Sequence, residues 1–221
     1  MKVILTILFN CLLLASFAQR KKLILKDDFK DSSHWIIEMA PALHSSVYTD
    51  HGKLVLDTKG GVTVWLNQLL QGNIMIEYKR KVLVAGKVND RLSDLNQFWM
   101  ASDPRNMQLF TRTGVLEQYD SLQLYYVGMG GNTNTTTRFR KYEGNGNRTL
   151  LQEYKDAGHL LQSNKEYKIT IMMKDGVSSY FVDDVPYFHF ADPAPLTSGY
   201  FGFRSTWSRQ EITHLRIYQL Y

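Results

Sequence analysis

Apolar and polar positions along this chain follow the short repeat of strands, and no segment sustains a helical period. Lys22-Leu23-Ile24-Leu25-Lys26 opens the series. Lys53 to Asp57 reads at period two until Gly60-Gly61 breaks it. Val62 to Leu66 and Asn73 to Val84 are rich in β-branched and aromatic residues, which suit a pleated surface. Asn96 to Ala101, Leu122 to Met129, Thr135 to Tyr142, Tyr167 to Met173, Ser178 to Val182, Tyr200 to Ser205 and Ile212 to Leu220 continue to the end. Ser93 to Gln97 and Gln152 to Gly158 have room for at most a turn of helix.

Lys174-Asp175-Gly176 has the composition of a tight hairpin, since Asp-Gly tolerates the positive φ such a turn requires. Asp183-Asp184 reads as a second turn. The two predict a meander from Tyr167 to Phe190. About a dozen strands with no disulfide framework predict an all-β fold, a two-sheet antiparallel jelly-roll sandwich.

Strand parity separates core from surface. In Thr135 to Tyr142 one face carries Thr136, Arg138, Arg140 and Tyr142, and the other carries Thr135, Thr137, Phe139 and Lys141. The first set suits a groove better than a core. In Tyr200 to Ser205, Phe201 and Phe203 go inward, while Tyr200 and Arg204 face the other way across Gly202. Lys79-Arg80-Lys81 reads as a solvated strand face.

The chain ends narrow the picture. Lys2, an apolar Val3 to Leu14, and Ser16-Phe17-Ala18 read as a secretory signal peptide over residues 1–18, cleaved before Gln19. The apolar run is too short for the ~20 residues of a spanning helix. Residues 19–221 are expected to form a single domain in a secreted or periplasmic protein. Arg20-Lys21-Lys22 would be its mobile start. The single cysteine, Cys11, leaves with the leader, which excludes an intrachain disulfide and a Cys-based zinc site. Loss of Lys2 takes the formal charge from +5 to +4. That charge is not clustered, so no nucleic-acid partner is expected, and a monomer is.

The segment from Tyr125 to Tyr142 joins two strands through Gly130-Gly131-Asn132-Thr133-Asn134 and then presents two alternate arginines and a tyrosine. Sugars and uronates call for such groups. Aromatic faces stack on ring faces, amides bond hydroxyls, and guanidinium forks pair with carboxylates. The competing reading is a hairpin with a solvated polar face.

This segment, with Asp94-Leu95-Asn96, Phe98 to Pro104, and Asp192-Pro193 through Pro195-Leu196-Thr197-Ser198-Gly199 to Phe201-Gly202-Phe203-Arg204, resembles an uncharacterised jelly-roll family. That family belongs to the concanavalin A-like lectin/glucanase superfamily and is typical of Bacteroidetes polysaccharide-utilisation loci. The resemblance covers nearly all of the mature chain. It implies a sandwich with a concave sugar-binding face and a role in glycan breakdown. More distant kin resemble proteins of pectin degradation clusters.

Hydrolysis on such a sandwich calls for two carboxyl groups about 5–9.5 Å apart, expected as Glu-x-Asp-x-x-Glu on one strand. That pattern is absent; Glu77, the pair Glu117 and Asp120, and Glu143 are the nearest candidates. Elimination from a uronate instead needs a cation or amide on the carboxylate and a side chain to take the α-proton. The candidate catalytic residues are therefore Arg138, Arg140 and Tyr142. The candidate substrate-binding set is Asn132, Asn134, Asn96, Trp99, Arg204 and Trp207. The six histidines show no metal-ligand spacing, no cofactor is expected, and structural calcium at Asp183-Asp184 is the less simple reading of that turn. The expected function is a lyase or glycoside hydrolase acting on an acidic glycan. The alternative is a non-catalytic, lectin-like glycan-binding module.

Overall fold

The computed structural model describes residues 20–221. The expected leader over residues 1–18, with Cys11, lies outside the described residues. In chain order the strands are β1 (Lys21–Asp27), β2 (Trp35–Met39), β3 (Ser46–Asp50), β4 (Lys53–Thr58), β5 (Val62–Leu66), β6 (Leu70–Gln71), β7 (Ile74–Leu83) and β8 (Leu95–Ser102). There follow β9 (Gln123–Gly130), β10 (Thr136–Glu143), β11 (Arg148–Tyr154), β12 (Glu166–Lys174), β13 (Val177–Val182), β14 (Val185–Ala191), β15 (Ser198–Ser205) and β16 (Ser208–Leu220). They form two antiparallel sheets. The first runs β14-β13-β12-β7-β16-β4-β3, with β1 also on β16. The second runs β11-β10-β9-β8-β15-β5-β2, with β6 on β15. This is the expected jelly-roll sandwich. The Lys21–Lys22 start is not loose but paired with the end of β16, Lys21 opposite Leu220.

Both predicted hairpins form. Asp175 and Gly176 have φ of 49° and 80°, and Asp183 and Asp184 have φ of 51° and 64°. Positive φ at both central residues matches the right-handed twist of the flanking strands. Asp183 and Asp184 also pair with Lys165 and Lys168 across the hairpins, at 2.9 and 2.7 Å. Among the described residues no three His, Cys, Asp or Glu gather in a way that would hold a metal ion, and no helix is long and apolar enough to cross a membrane.

The main core lies between the sheets. Ile74, Ile76, Tyr78 and Val82 of β7 alternate inward, and Arg80 goes with them, fully buried. The expectation of a solvated Lys79-Arg80-Lys81 face thus holds for the lysines and fails for Arg80. Its guanidinium bonds neutral groups of both sheets: Nε donates to Gln210 Oε1 at 2.6 Å, Nη1 to the Asn96 carbonyl at 2.6 Å, and Nη2 to the Arg204 carbonyl at 3.0 Å. Burial lowers its pKa to about 10.

Trp99 also belongs to this core and not to a groove. It is fully buried, stacks on Tyr125, Phe139 and Tyr180, and its indole N–H donates to Ser178 Oγ at 3.2 Å. The apolar run around it hides a bulge. Met100 has φ of 53°, and the pairing with β9 shifts between Trp99 and Ser102. The extra residue lets Trp99 and Met100 both enter the inter-sheet core while Phe98 and Ala101 take the outer face.

Residues 103–122, between β8 and β9, form a strap over the outer face of the second sheet. Leu109, Tyr119 and Leu122 of the strap bury against Trp65, Phe98, Leu124 and Tyr142 in a second, smaller cluster. Arg112 holds the strap together. Its side chain is 6% exposed and bonds Asp103 at 2.5 Å and the carbonyls of Leu109 and Gln118 at 2.7 and 2.9 Å. Glu38 of β2 anchors it, accepting from Arg112 N at 2.7 Å and Tyr119 Oη at 2.8 Å.

Candidate functional site

The outer face of the second sheet carries a polar row through all seven strands of its main path. Glu38, Thr63, Arg204, Asn96, Gly128, Arg138 and Glu153 are successive cross-strand partners. Partners in register share a face. Parity on β10 therefore placed Arg138 and Arg140 correctly, and Arg204 does share their face. The neighbouring row, Trp65, Gly202, Phe98, Tyr126 and Arg140, is aromatic at one end and cationic at the other.

A cavity of about 410 Å³ opens over the β8-β9-β10 part of these rows. Its floor is Asn96, Gly128 and Tyr126, and Arg138 and Arg140 flank it together with Arg148 of β11. Leu116 of the strap, Arg91 and Asp94 of the β7–β8 loop, Asn132, Thr136 and Thr206 complete the wall. The volume lies within the usual range of ligand pockets, about 300–1,000 Å³.

Gly128 is needed at the floor. A Cβ there would stand 2.2 Å from Tyr126 Oη and 2.9 Å from Asn96 Oδ1. The absent side chain lets the Tyr126 phenol lie across the row. Burial raises the pKa of that phenol, the neighbouring Tyr142 and Asp94 adding to the effect, while Arg140 and Arg204 oppose it.

Four arginines reach this cavity, and their partners differ. Arg138 Nε bonds Glu153 on β11. Arg148 makes a two-pronged bond to Asp120 of the strap, at 2.5 and 2.6 Å. Arg91 bridges Asp94 at 3.4 Å and Thr133 Oγ1 at 2.9 Å. Arg140 makes no side-chain hydrogen bond or ion pair among the described residues. Asp94 is the one carboxylate in the lining. Burial raises its pKa, with the Arg91 charge working against that rise.

Several buried polar atoms here lack a partner: Asn96 Oδ1 and Thr136 Oγ1 in the lining, with Trp207 Nε1, Arg204 Nε and Arg204 Nη2 close by along the chain or the row. Buried polar atoms are ordinarily paired; of these, Asn96 Oδ1 and Thr136 Oγ1 belong to residues of the cavity lining, while Arg204 lies under the strap.

The sequence-derived residues divide accordingly. Arg138, Arg140, Asn132 and Asn96 come together in the lining. Trp207 stands behind the wall, half-buried, with Arg91 5.3 Å and Lys59 5.5 Å from its ring and its backbone N–H 3.4 Å from Asp94 Oδ2. Tyr142 is 1% exposed, packed on Phe98 and Tyr126 under Arg148, and does not line the cavity. Burial raises its pKa, which is unsuited to the role of base. Arg204 is also 1% exposed. The strap covers it: Tyr119 lies 4.9 Å above the guanidinium, and the Gly114 carbonyl accepts from Nη1 at 3.0 Å. Asn134 turns away and clamps the backbone of Leu161 at 2.8 and 2.9 Å. The cause is a left-handed turn, with φ of 72°, 52°, 58° and 59° at Gly130, Asn132, Thr133 and Asn134. Gly and Asn tolerate that region best.

Arg91, Asp94, Tyr126, Arg148 and Leu116 were missed as site residues. Tyr126 and Gly128 were legible in principle, since they share the parity that faces Arg138. Arg91, Arg148 and Leu116 arrive from loops and an edge strand, and no local signal points to them.

The fold is shared with solved structures. A protein of unknown function with a galectin-like fold from Bacillus subtilis superposes with a TM-score of 0.75 at 16% identity, over 91% of this chain and 98% of that one. An endo-beta-1,3-glucanase from Pyrococcus furiosus gives 0.62 at 10% identity, over 92% and 96%. The carbohydrate-binding module CBM66 from Bacillus subtilis gives 0.57 at 12% identity, over 82% and 93%. At these identities the likeness is one of fold. No curated protein matches the chain. Residues 56–215 match the model of a domain of unknown function, and the chain belongs to that family, DUF6250.

Proposed function

We propose that this protein is carbohydrate-active and takes an acidic, uronate-containing sugar in the cavity bounded by Arg91, Arg138, Arg140 and Arg148. The observation that carries the reading is Arg140: a cation in the cavity wall that makes no side-chain hydrogen bond or ion pair among the described residues. A sugar carboxylate meets the guanidinium, and ring hydroxyls meet the exposed Asn132 amide in the wall. The glucanase and carbohydrate-binding-module neighbours support a carbohydrate as ligand, and its acidity rests on the arginines alone.

Within that reading, elimination fits the residue types better than hydrolysis. Hydrolysis by paired carboxylates needs a second acid, and Asp94 stands alone in the lining. For elimination, Arg140 neutralises the sugar carboxylate. Asp94, its basicity raised by burial, accepts the proton α to it. The electron pair forms the ring double bond as the bond to the leaving oxygen breaks, and the Tyr126 phenol, held protonated, supplies that oxygen with a proton.

The test uses the protein without its leader. Calorimetric titration with oligogalacturonates should show binding, neutral glucan oligomers should not bind, and Arg140→Ala should lose the binding. Ultraviolet absorbance of an unsaturated product, present in the parent and absent in Asp94→Asn, would establish the lyase. Binding without product would establish the lectin-like module, which needs only the arginines and amides. Equal affinity for acidic and neutral sugars would overturn the proposal.

A further inference from the structure

We infer that the strap over residues 103–122 makes this a pocket for the end of a glycan chain and not a groove for its interior. The inference rests on the acidic-sugar reading above and specifies which part of the polymer enters.

The two rows of outer-face residues do not end at the cavity. Along β9 and β10 the paired positions step from Gly128 and Arg138 to Tyr126 and Arg140, then to Leu124 and Tyr142. Across the sheet the same face continues through Phe98 and Gly202 to Trp65. Without the strap these residues would form a continuous aromatic floor of the kind on which several sugar rings can stack. With it, Trp65 and Phe98 are fully buried and Tyr142 and Leu124 are 1% exposed or less. A ligand entering the cavity reaches the Tyr126–Arg140 step and meets Leu116 of the strap.

The strap is fixed at several independent points. Asp120 is held by the fork of Arg148, Arg112 and Tyr119 are bonded to Glu38, and the Gly114 carbonyl is bonded to Arg204. Gly114 and Gly61 approach so closely that a Cβ on Gly61 would stand 2.2 Å from the Gly114 carbonyl oxygen. Within the strap, Leu116–Ser121 form a 3-10 helix that buries Tyr119 against the sheet. At the other end of the rows the Arg91–Thr133 bond closes the cavity between the β7–β8 loop and the left-handed turn. A continuous polysaccharide crossing the sheet has no path past Leu116, so one terminus must enter.

The experiment is a length series on the wild-type protein. Galacturonate dimer, trimer and long polymer, and the matching alginate set, are titrated with affinity and stoichiometry counted per chain. Chain-end recognition predicts a fixed number of proteins per chain and the same affinity, within about twofold, from trimer to polymer. It also predicts weakened binding after chemical modification of one terminus, and loss of all binding in Arg140→Ala. A stoichiometry that rises with chain length would overturn the inference while leaving the acidic-sugar reading intact. Failure to bind any member of either set would overturn that reading, and the inference with it.

Discussion

Gly128 and Tyr126 share one face of β9, and the Tyr126 phenol oxygen lies 2.2 Å from where a Gly128 Cβ would be. The floor of the cavity is thus built by a missing side chain. Gly128→Ala is expected to displace the Tyr126 ring and the Asn96 amide, costing about 1–3 kcal/mol of stability as an overpacked site does. Thermal unfolding should register that modest loss, and titration with acidic oligosaccharide should register a larger one in affinity. Unchanged affinity would show that the phenol takes no part in the floor.

Arg140 and Arg138 should respond differently to removal. Arg140→Ala breaks no side-chain bond among the described residues, so its stability should stay within about 0.5 kcal/mol. A hydrogen bond to a charged group contributes about 1.5–3 kcal/mol, so affinity for an acidic ligand should fall by about tenfold or more. Arg138→Ala also frees Glu153 beside the cavity, leaving it with Lys155 at 2.9 Å. That carboxylate then repels the ligand. The double variant Arg138→Ala with Glu153→Gln should regain part of the lost affinity, a recovery that calorimetry can measure.

The buried Arg80 supports the cavity from behind. It bonds the Asn96 and Arg204 carbonyls, and its partner Gln210 donates to the Asp94 carbonyl at 3.0 Å. Arg80→Met fills the space but leaves several acceptors without that donor, each worth about 1–3 kcal/mol when buried. The expected result is a loss of about 2–5 kcal/mol in chemical denaturation. A stability equal to the parent would mean that the relief of burying a charge offsets the lost bonds.

The β7–β8 loop that carries Arg91 and Asp94 is tied down by Asp90, which accepts from Ala85 N at 2.5 Å, Lys87 N at 3.0 Å and Arg209 Nε at 2.7 Å. Burial pushes the Asp90 pKa up, but these bonds outweigh it and hold it at about 2 against an ordinary 3.8. A carboxyl depressed in the folded state stabilises above its unfolded pKa and loses that contribution as pH falls through the folded value. Stability on the order of 2 kcal/mol should therefore drain away from about pH 4 toward pH 2. Asp90→Asn should be less stable at neutral pH and flatter over that acid window in denaturation curves.

Apart from β2, β3, β6 and β11, the strands, the two Asp-centred hairpins, the sandwich and the shared face of Arg138, Arg140 and Arg204 were legible in the sequence. These follow from period-two alternation and from residue types that accept positive φ, both local properties of the chain. Which of those residues a ligand can reach depends on the packed sandwich and the segments laid over it. Trp99 went to the core because one extra residue at Met100 shifted the strand's parity, and an apolar run on both sides conceals such a shift. Arg80 went inward because neutral acceptors from both sheets converge on it, which only the packed sandwich supplies. Tyr142 and Arg204 kept their predicted face but lost access, because the strap lies over them and its resting place depends on contacts with Glu38 and Arg148 distant in sequence. The cavity itself gathers the β7–β8 loop, the left-handed turn, the strap and an edge strand. Alternation along one strand carries no information about which distant segment will cover it.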